Sequence, residues 1–290
     1  MSNLKQLRNR VRSIKSTQKI TKAMHVVSAS KLKKLKEKAE GLNHYTSVLG
    51  DIMHDISTSG NLMDLPICDR KFFSEDLKKM SHLLVIMTSE RGLCGGFNSS
   101  VIRSAKRDIA RFQKEGKQVK LLVIGKKGCD AFSRKYADMI EGTYHNNKAS
   151  SACVSLEVKN KIMEMVENEE IGACYMYYNL FKNAMTQILT TEQVLPAHTA
   201  DEAESGGVSE YEYEGENVVH NVIDLYIGGQ INYGLLQSRA SEECSRMTAM
   251  DNATRNAGDL IDSLTLKLNR SRQAIITTEL TEIISGAEAV

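Results

Sequence analysis

Tryptophan is absent from the 290-residue chain, and proline and phenylalanine occur only 2 and 6 times. A chain this poor in proline and aromatic residues is unlike an all-β sandwich, which needs many short strands and frequent turns. No apolar run approaches the roughly 18 residues that a membrane-spanning helix requires. These absences exclude an integral membrane protein and favour a soluble globular chain.

Motifs for catalysis and for metal binding are also missing. The six cysteines are scattered without a C-x-x-C pair, so they predict neither a disulfide framework nor a zinc site, and we expect reduced thiols in a cytoplasmic-facing protein. The seven histidines fall on separate elements, and neither H-E-x-x-H nor G-x-S-x-G occurs. We therefore predict no catalytic residue, no cofactor-binding residue and no metal site.

Charge is distributed unevenly, although the net charge is only +2. Residues 1–40 hold twelve Lys or Arg and two acids, whereas residues 201–216 hold seven acids and no base. A basic arm of this strength favours an acidic partner such as nucleic acid, a membrane surface or an acidic protein. Acidic residues elsewhere in the same chain could also serve as that partner.

Both ends of the chain carry a coiled-coil pattern. Mostly apolar residues recur at alternating steps of four and three over Leu7–Ile56 and again over Leu236–Thr278. This 3.5-residue period is typical of a left-handed coiled coil. Two such helices at opposite ends of one chain can pair antiparallel through a domain inserted between them. We therefore predict a long antiparallel coiled coil of the N- and C-terminal helices.

The second of these helices has a weak beginning. The pattern predicts helix over about Asn217–Ser285, but Gly228, Gly229 and Gly234 fall in its first turns. Each glycine costs about 1 kcal/mol relative to alanine in a helix. We therefore expect the regular coil to begin near Leu235, and the stiffness of the Gly228–Gly229 stretch stays open.

The middle of the chain has the alternation of an α/β fold. Short apolar runs predict strands, and the amphipathic segments between them predict crossover helices. The predicted strands are Leu83–Met87, Leu121–Ile124, Ala173–Tyr178, an antiparallel edge strand Met185–Leu195 and a short strand Tyr211–Glu216. The predicted helices are Ser99–Glu115, Lys126–Tyr136 and Ser155–Asn168, and a turn is predicted at Asn179–Ala184. These elements predict an inserted Rossmann-like domain of about five strands.

The predicted domain order follows from these patterns. Residues 1–60 form the N-terminal coiled-coil helix, 68–200 the central α/β domain, 201–216 an acidic linker and 217–290 the C-terminal coiled-coil helix. The fold class is therefore mixed α+β and α/β.

A glycine-rich segment, Ser89–Asn98, follows the first predicted strand. Such strand-to-helix turns often bind nucleotide phosphates. However, the segment matches neither G-x-G-x-x-G nor G-x-x-x-x-G-K-[ST]. The favoured interpretation is that its glycines let the turn pass close to another surface.

The seam of the first helix contains four consecutive polar positions: Gln18, Thr21, His25 and Ser28. Apolar Ile20, Met24 and Val27 lie beside the seam rather than in it. One interpretation is a local rotation of the supercoil. The other is that the helix here faces something besides its partner helix, such as a sleeve of surrounding subunits.

Three blocks resemble one family, the gamma subunits of F-type rotary ATP synthases. They are KSTQKITKAMHVVSASKLKKLK (Lys15–Lys36), SERGLCGGFN (Ser89–Asn98) and the C-terminal stretch Ala240–Ala289. They occur in the family's order and cover both termini and the central domain. The resemblance implies a non-catalytic central-stalk rotor that couples proton flow to ATP synthesis or hydrolysis, without a cofactor of its own.

The resemblance also implies partners and contact residues. The expected partners are the alpha and beta subunits of the alpha3beta3 ring, the epsilon subunit and the c-ring, with no nucleic acid. Arg91, Arg272, Gln273 and Met24 stand at family positions that contact beta. The family often has Glu-Met where this chain has His25-Val26, and Asp where it has Glu90. The expected location is the cytoplasmic side of a bacterial inner membrane, as a peripheral protein; a processed organellar chain stays open.

Two other classes of function fit parts of the sequence. A nucleic-acid-binding coiled coil would use the basic arm, but residues 1–40 contain no aromatic residue for stacking on bases. A nucleotide-binding α/β enzyme would use the glycine-rich turn, but the phosphate-loop pattern is missing.

Overall fold

The computed structural model describes residues 2–58, 65–73, 81–145, 151–183, 186–197 and 217–288. The chain divides into two compact units. The smaller unit is Met1–Ala29 with Arg246–Val290, and the larger unit is Ser30–Ser245. The two long terminal helices contribute residues to both units.

The elements alternate in the order that an inserted α/β domain requires. The helices are α1 (Ser2–Thr58), α2 (Ile67–Arg70), α3 (Phe97–Lys114), α4 (Lys126–Phe132), α5 (Ser151–Glu167) and α6 (Val218–Glu288). The strands are β1 (His82–Met87), β2 (Val119–Ile124), β3 (Ile140–Tyr144), β4 (Ala173–Phe181) and β5 (Gln187–Leu195), and a 3₁₀ turn covers Ala137–Met139.

The larger unit is built on a five-stranded mixed sheet with the order β3-β2-β1-β4-β5. Strands β1 to β4 are parallel to their neighbours, and β5 is antiparallel to β4 at the edge. The predicted fold class is therefore confirmed, including the antiparallel edge strand. Strand β3 was not predicted, because its burial alternates and only one of its faces is partly covered.

Helices cover both faces of this sheet. On one face, α3 and α4 bury a cluster that includes Leu84, Ile109 and Phe132. On the other face, α5 packs together with the second half of α1 and the first part of α6. Strand β1 is buried along its whole length, and its side chains alternate between the two clusters because successive residues of a strand point to opposite faces. The inner parts of the terminal helices therefore belong to the core of this unit.

The two terminal helices are antiparallel within the larger unit. Lys31 pairs with Glu243 at 3.4 Å, and further along α1 the side chains of Tyr45 and Leu49 lie against Gly229. As the residue numbers rise along α1, the numbers of the residues they contact in α6 fall, so the two helices run antiparallel. The pairing predicted from the heptads is confirmed here.

The helix predicted to begin at about Asn217 is confirmed, because α6 starts at Val218 and runs through all three glycines. The expectation that the regular coil begins near Leu235 is wrong, because α6 already contacts α1 at Gly229. The missing side chains of the glycines make room for close neighbours. A Cβ on Gly234 would lie 3.2 Å from Met87 Cε, and one on Gly228 would lie 3.3 Å from Lys159 Cδ. The loss of helix propensity is therefore offset by packing of α6 against the sheet and α5.

The smaller unit pairs α1 and α6 through polar groups. The hydroxyls of Thr21 and Thr254 are 2.7 Å apart, and Gln18 Nε2 donates to the carbonyl of Thr254 at 3.3 Å. Thr21 and Ser28 are buried, while Ile20 and Val27 are 57% and 54% exposed. Gln18 and Thr21 thus remain in the seam and find partners there, and Ser28 is buried as well, which disagrees with a local rotation of the supercoil.

Other local expectations need correction. The predicted turn Asn179–Ala184 is wrong at its start, since β4 continues to Phe181 and pairs with β5 through that residue. Helix α4 ends at Phe132, before the predicted Tyr136. The predicted strand Tyr211–Glu216 and the linker 201–216 lie outside the described residues.

Candidate interaction sites

The glycine-rich turn after β1 has a tightly specified backbone. Leu93 and Gly95 both have positive φ, at 64° and 56°. Asn98 lies at the start of α3. Its Oδ1 accepts a hydrogen bond from the backbone N–H of Ser89 at 3.0 Å, and its Nδ2 donates one to Cys94 Sγ at 3.2 Å. The hydroxyl of Ser89 donates to the carbonyl of Arg91 at 2.6 Å. Arg91 itself is exposed at the outside of the turn.

Helix α6 holds the same turn from a second side. Ser245 Oγ donates to the carbonyl of Cys94 at 2.6 Å. A Cβ on Gly95 would lie 3.3 Å from the hydroxyl oxygen of Ser245, so glycine suits both the positive φ and the close approach. The interpretation that glycines let this turn pass close to another surface agrees with this geometry. No sequence pattern pointed to Ser245, because its partner is a backbone carbonyl far away along the chain.

A neighbouring turn after β2 is packed against the first. Gly128 N donates to Thr88 Oγ1 at 2.8 Å, and the Gly125 backbone comes so close to Thr88 that a Cβ would lie 2.1 Å from the Thr88 carbonyl oxygen. The backbone N–H of Lys126 donates to Glu90 at 3.3 Å. Hydrogen bonds and close backbone contact therefore fill the space between these two turns.

The crevice between β1 and β4 is likewise filled. In open α/β sheets, ligands bind at the carboxyl ends of the strands where the strand order reverses. Here Gly234 of α6 lies against Met87 and Met176, and Gln237 Oε1 accepts the N–H of Phe181 at 3.3 Å. Helix α6 therefore takes the place of a ligand in this crevice.

The other residues carried by the resemblance belong to the smaller unit. Met24 is half-buried on α1, while Arg272 and Gln273 are exposed on α6. Since Thr21 faces Thr254, Arg272 lies roughly 27 Å further along the helix axis than that level of the pair. The smaller unit therefore presents these residues at separate levels and does not assemble them into one site.

The surface of the smaller unit carries several large apolar side chains. Exposed large side chains occur on both helices: Ile20, Val26, Val27, Leu260, Leu266, Ile276, Leu280, Ile283 and Ile284. Near the start of α1 the surface is basic instead, with a shallow depression of about 430 Å³ lined by Arg8, Val11, Arg12, Lys15, Ser16 and Lys19. All six residues come from one helix, so the depression is open and cannot enclose a ligand.

Desolvation shifts the pKa values of three buried groups in the larger unit toward their neutral forms. Burial raises the pKa of the Cys174 thiol to about 12 and that of Tyr226 to about 12. Burial and the lysine at position 117 lower the pKa of His82 to about 4, and the imidazole stacks on Phe112 with 4.5 Å between ring centroids. These directions suit packed core groups rather than nucleophiles or general bases.

The described residues contain neither a candidate metal site nor a candidate membrane-spanning helix. No group of three or more His, Cys, Asp or Glu there could hold a metal ion. Within the same residues, no helix combines the length and apolarity needed to cross a membrane.

Comparisons with known proteins agree along the whole chain. A family model described as ATP synthase matches residues 3–290. The ATP synthase gamma chain of Rickettsia felis is 53% identical over 290 residues, and that of Rickettsia conorii is 49% identical over 325 residues. Each alignment covers 100% of this chain and 100% of the relative.

Solved structures match as well. The central stalk and c-ring structure of the Tetrahymena thermophila mitochondrial ATP synthase contains a chain with a TM-score of 0.57 at 26% identity, covering 81% of this chain and 99% of that one. A chain of the Euglena gracilis mitochondrial ATP synthase gives a TM-score of 0.69 at 18% identity, covering 99% and 94%. The second match supports the fold alone.

Proposed function

The chain belongs to the ATP synthase gamma-chain family, and from this premise we propose that it is the central-stalk rotor that couples transmembrane proton flow to ATP synthesis and hydrolysis at an alpha3beta3 ring. The gamma chain is a non-catalytic subunit of that complex. Its contribution is mechanical: it has to contact the ring while turning and to carry torque.

The observation that carries the proposal is the set of large apolar side chains that the smaller unit leaves exposed. The seam of this unit contains hydrogen-bonded Thr21 and Thr254, while Ile20 and Val27 are exposed. Burial of exposed apolar area is worth about 25 cal/mol per Å², and contiguous apolar surface on a folded protein marks an interaction site. An enclosing ring of alpha and beta subunits would cover this surface from all sides.

The proposed contacts with beta involve Arg91, Arg272, Gln273 and Met24. The two arginines and Gln273 are exposed and can reach a partner. A guanidinium pairs bidentately with a carboxylate, so acidic loops of beta are suitable partners for Arg91 and Arg272. Such contacts must break and re-form on each turn, which favours exposed pairs worth about 1 kcal/mol or less over buried ones.

The remaining partners are assigned to the larger unit. We place the c-ring and the epsilon subunit at the α/β domain of residues 68–200, with 201–216 as a linker between that domain and the helix of 217–290. This arrangement makes the chain a peripheral protein on the cytoplasmic side of a bacterial inner membrane. Because family members serve as rotors, no nucleic-acid partner is proposed.

The test replaces the exposed apolar residues of α1 by acids. Ile20 and Val27 are seven residues apart and share one face of the helix. The double variant Ile20→Asp/Val27→Asp should leave the helicity and melting of the isolated chain nearly unchanged. Its assembly with alpha and beta subunits, measured by native mass spectrometry, should fall at least tenfold because two carboxylates would be desolvated.

A matched control separates position from charge. Asn43→Asp/Ser47→Asp introduces the same two carboxylates at exposed polar positions of the same helix, but in the larger unit, outside the surface that the ring would cover. This variant should assemble at close to the wild-type level. Normal assembly and ATP synthesis by the Ile20→Asp/Val27→Asp complex would contradict an enclosing ring.

A further inference from the structure

The turn that carries Arg91 adopts a conformation that its own residues do not favour. Leu93 has a φ of 64° although it has a branched side chain, and that side chain is 65% exposed. A non-glycine residue at positive φ is strained, and such strain persists only where surrounding contacts determine the backbone. The contacts that hold this turn are therefore informative about its role.

Asn98 and Ser245 supply two of these contacts. Asn98 braces the turn from within, through the N–H of Ser89 and the sulfur of Cys94. Ser245 holds it from α6, with a 2.6 Å hydrogen bond to the Cys94 carbonyl. Of the two, only the bond from Ser245 links the turn to a terminal helix.

We propose that Ser245 is a positioning residue that ties the Arg91 turn to α6, so that a displacement of α6 is passed directly to the Arg91 guanidinium. This inference rests on the proposed function, in which Arg91 contacts beta. Without the tie, the turn can relax away from the positive φ at Leu93. Arg91 would then sample more positions, and each contact would lose the advantage of a preorganised group.

The chain offers a matched control for this residue. Ser241 lies one helical turn before Ser245 on α6 and is fully buried. Among the described residues, its hydroxyl has no hydrogen-bond partner. Ser241→Ala therefore makes the same chemical change in the same helix without touching the Arg91 turn.

The test is a double-mutant cycle in the complete complex reconstituted into vesicles. We expect Arg91→Ala to reduce proton-driven ATP synthesis severalfold, and Ser245→Ala to reduce it at least threefold. Because Ser245 acts through Arg91, adding Ser245→Ala to Arg91→Ala should produce no further loss. Ser241→Ala should retain the wild-type rate.

Hydrogen exchange in the same complexes gives a second readout. Ser245→Ala should accelerate exchange of the backbone amides at residues 91–96, whereas Ser241→Ala should not. A general loss of folding would instead accelerate exchange across the sheet strands in both variants, and that result would overturn the inference.

The outcomes separate the inference from the function on which it rests. A loss with Arg91→Ala but none with Ser245→Ala overturns the tie and leaves the beta contact standing. Independent losses that multiply in the double variant also overturn it, since Ser245 would then act elsewhere. A wild-type rate with Arg91→Ala overturns the proposed Arg91 contact and the inference together.

Discussion

The two units of this chain use their apolar residues in opposite ways. In the larger unit, α6 buries Ile223, Ile227 and Ile231 completely against the sheet and its neighbouring helices. In the smaller unit, the same helix pairs with α1 partly through threonine hydroxyls and exposes Leu260 and Leu266. Helix α6 therefore supplies core residues in the larger unit, whereas in the smaller unit it buries Met250, Ala257 and Ile261 but leaves other large apolar side chains exposed.

This difference separates folding from assembly. Large apolar residues buried within a unit stabilise that unit in isolation. Apolar residues left outside contribute nothing to the isolated chain and become favourable only when a partner covers them. We therefore expect substitutions in the larger unit to affect stability, and substitutions on the surface of the smaller unit to affect assembly.

The largest expected effect is a buried charge in the larger unit. Ile231→Asp places a carboxylate at a fully buried position of α6, with no cation provided for it. It should lower the free energy of unfolding by about 3–5 kcal/mol. Urea unfolding of the isolated chain, followed by circular dichroism, measures this loss.

The same change at the surface of the smaller unit provides the control. Leu266 is 61% exposed on the same helix. Leu266→Asp should cost under about 1 kcal/mol, mostly through helix propensity. Equal losses from Ile231→Asp and Leu266→Asp would remove the distinction between a core section and a surface section of α6.

The next effect is a dependence of stability on pH, which comes from His82 in the larger unit. Burial and Lys117 lower the pKa of His82 to about 4, against 6.5 in the unfolded chain. Between these values the unfolded chain binds a proton that the folded chain does not, so stability should fall as the pH drops from 6.5 to 4. The loss should be complete below pH 4.

His82→Phe tests this titration, because phenylalanine keeps a ring against Phe112 and Tyr175 but cannot be protonated. Unfolding free energies are compared at several pH values between 4 and 7. We expect the variant to depend less on pH than the wild type over this window. Parallel pH profiles for the two proteins would show that His82 is not the source.

A smaller effect concerns the polar seam of the smaller unit. Thr254→Val removes the hydroxyl partner of Thr21, which keeps its bond to the Gln18 carbonyl. The expected loss is about 1 kcal/mol, typical of one hydrogen bond. Thr278→Val is the matched control, because Thr278 also bonds the carbonyl four residues earlier but is exposed.

The result is read from thermal melts of the isolated chain. Thr278→Val should be nearly neutral, and combining Thr21→Val with Thr254→Val should cost less than the sum of the single changes. An unchanged melt for Thr254→Val would mean that the hydroxyl pair does not stabilise the seam.

The sequence predicted much of the backbone organisation because that organisation follows from periodicity. The heptad positions Met53 and Ile56 in α1 and Leu236 and Ala240 in α6 are all buried, as the 3.5-residue pattern predicted. The continuous apolar run of β1 likewise predicted a strand that is buried along its whole length. Periodic patterns of this kind indicate directly which side chains of an element are buried.

Features that depend on contacts distant in sequence could not be predicted. Ser245 is an ordinary helical serine until its bond to the Cys94 carbonyl is seen. Gly234 resembles a helix-weakening glycine until Met87 is found where its side chain would be. The roles of Arg91, Arg272, Gln273 and Met24 stay predictions, because they require a partner surface that this chain alone does not supply.

The smallest expected effect compares one glycine of α6 from each unit. A Cβ at Gly229 would lie 3.4–3.6 Å from Tyr45, Leu49 and Thr46, which is ordinary contact, whereas one at Gly258 would lie 3.3 Å from Gln18 Nε2. Gly229→Ala should therefore stabilise the isolated chain by about 0.5–1 kcal/mol through helix propensity. Gly258→Ala should gain less, because Gln18 must shift away from its bond to Thr254. Gly41→Ala, where nothing lies within 4 Å, gives the gain from propensity alone. Thermal melting measures all three, and a loss of stability with Gly229→Ala would mean that α6 lies closer to α1 there than ordinary contact allows.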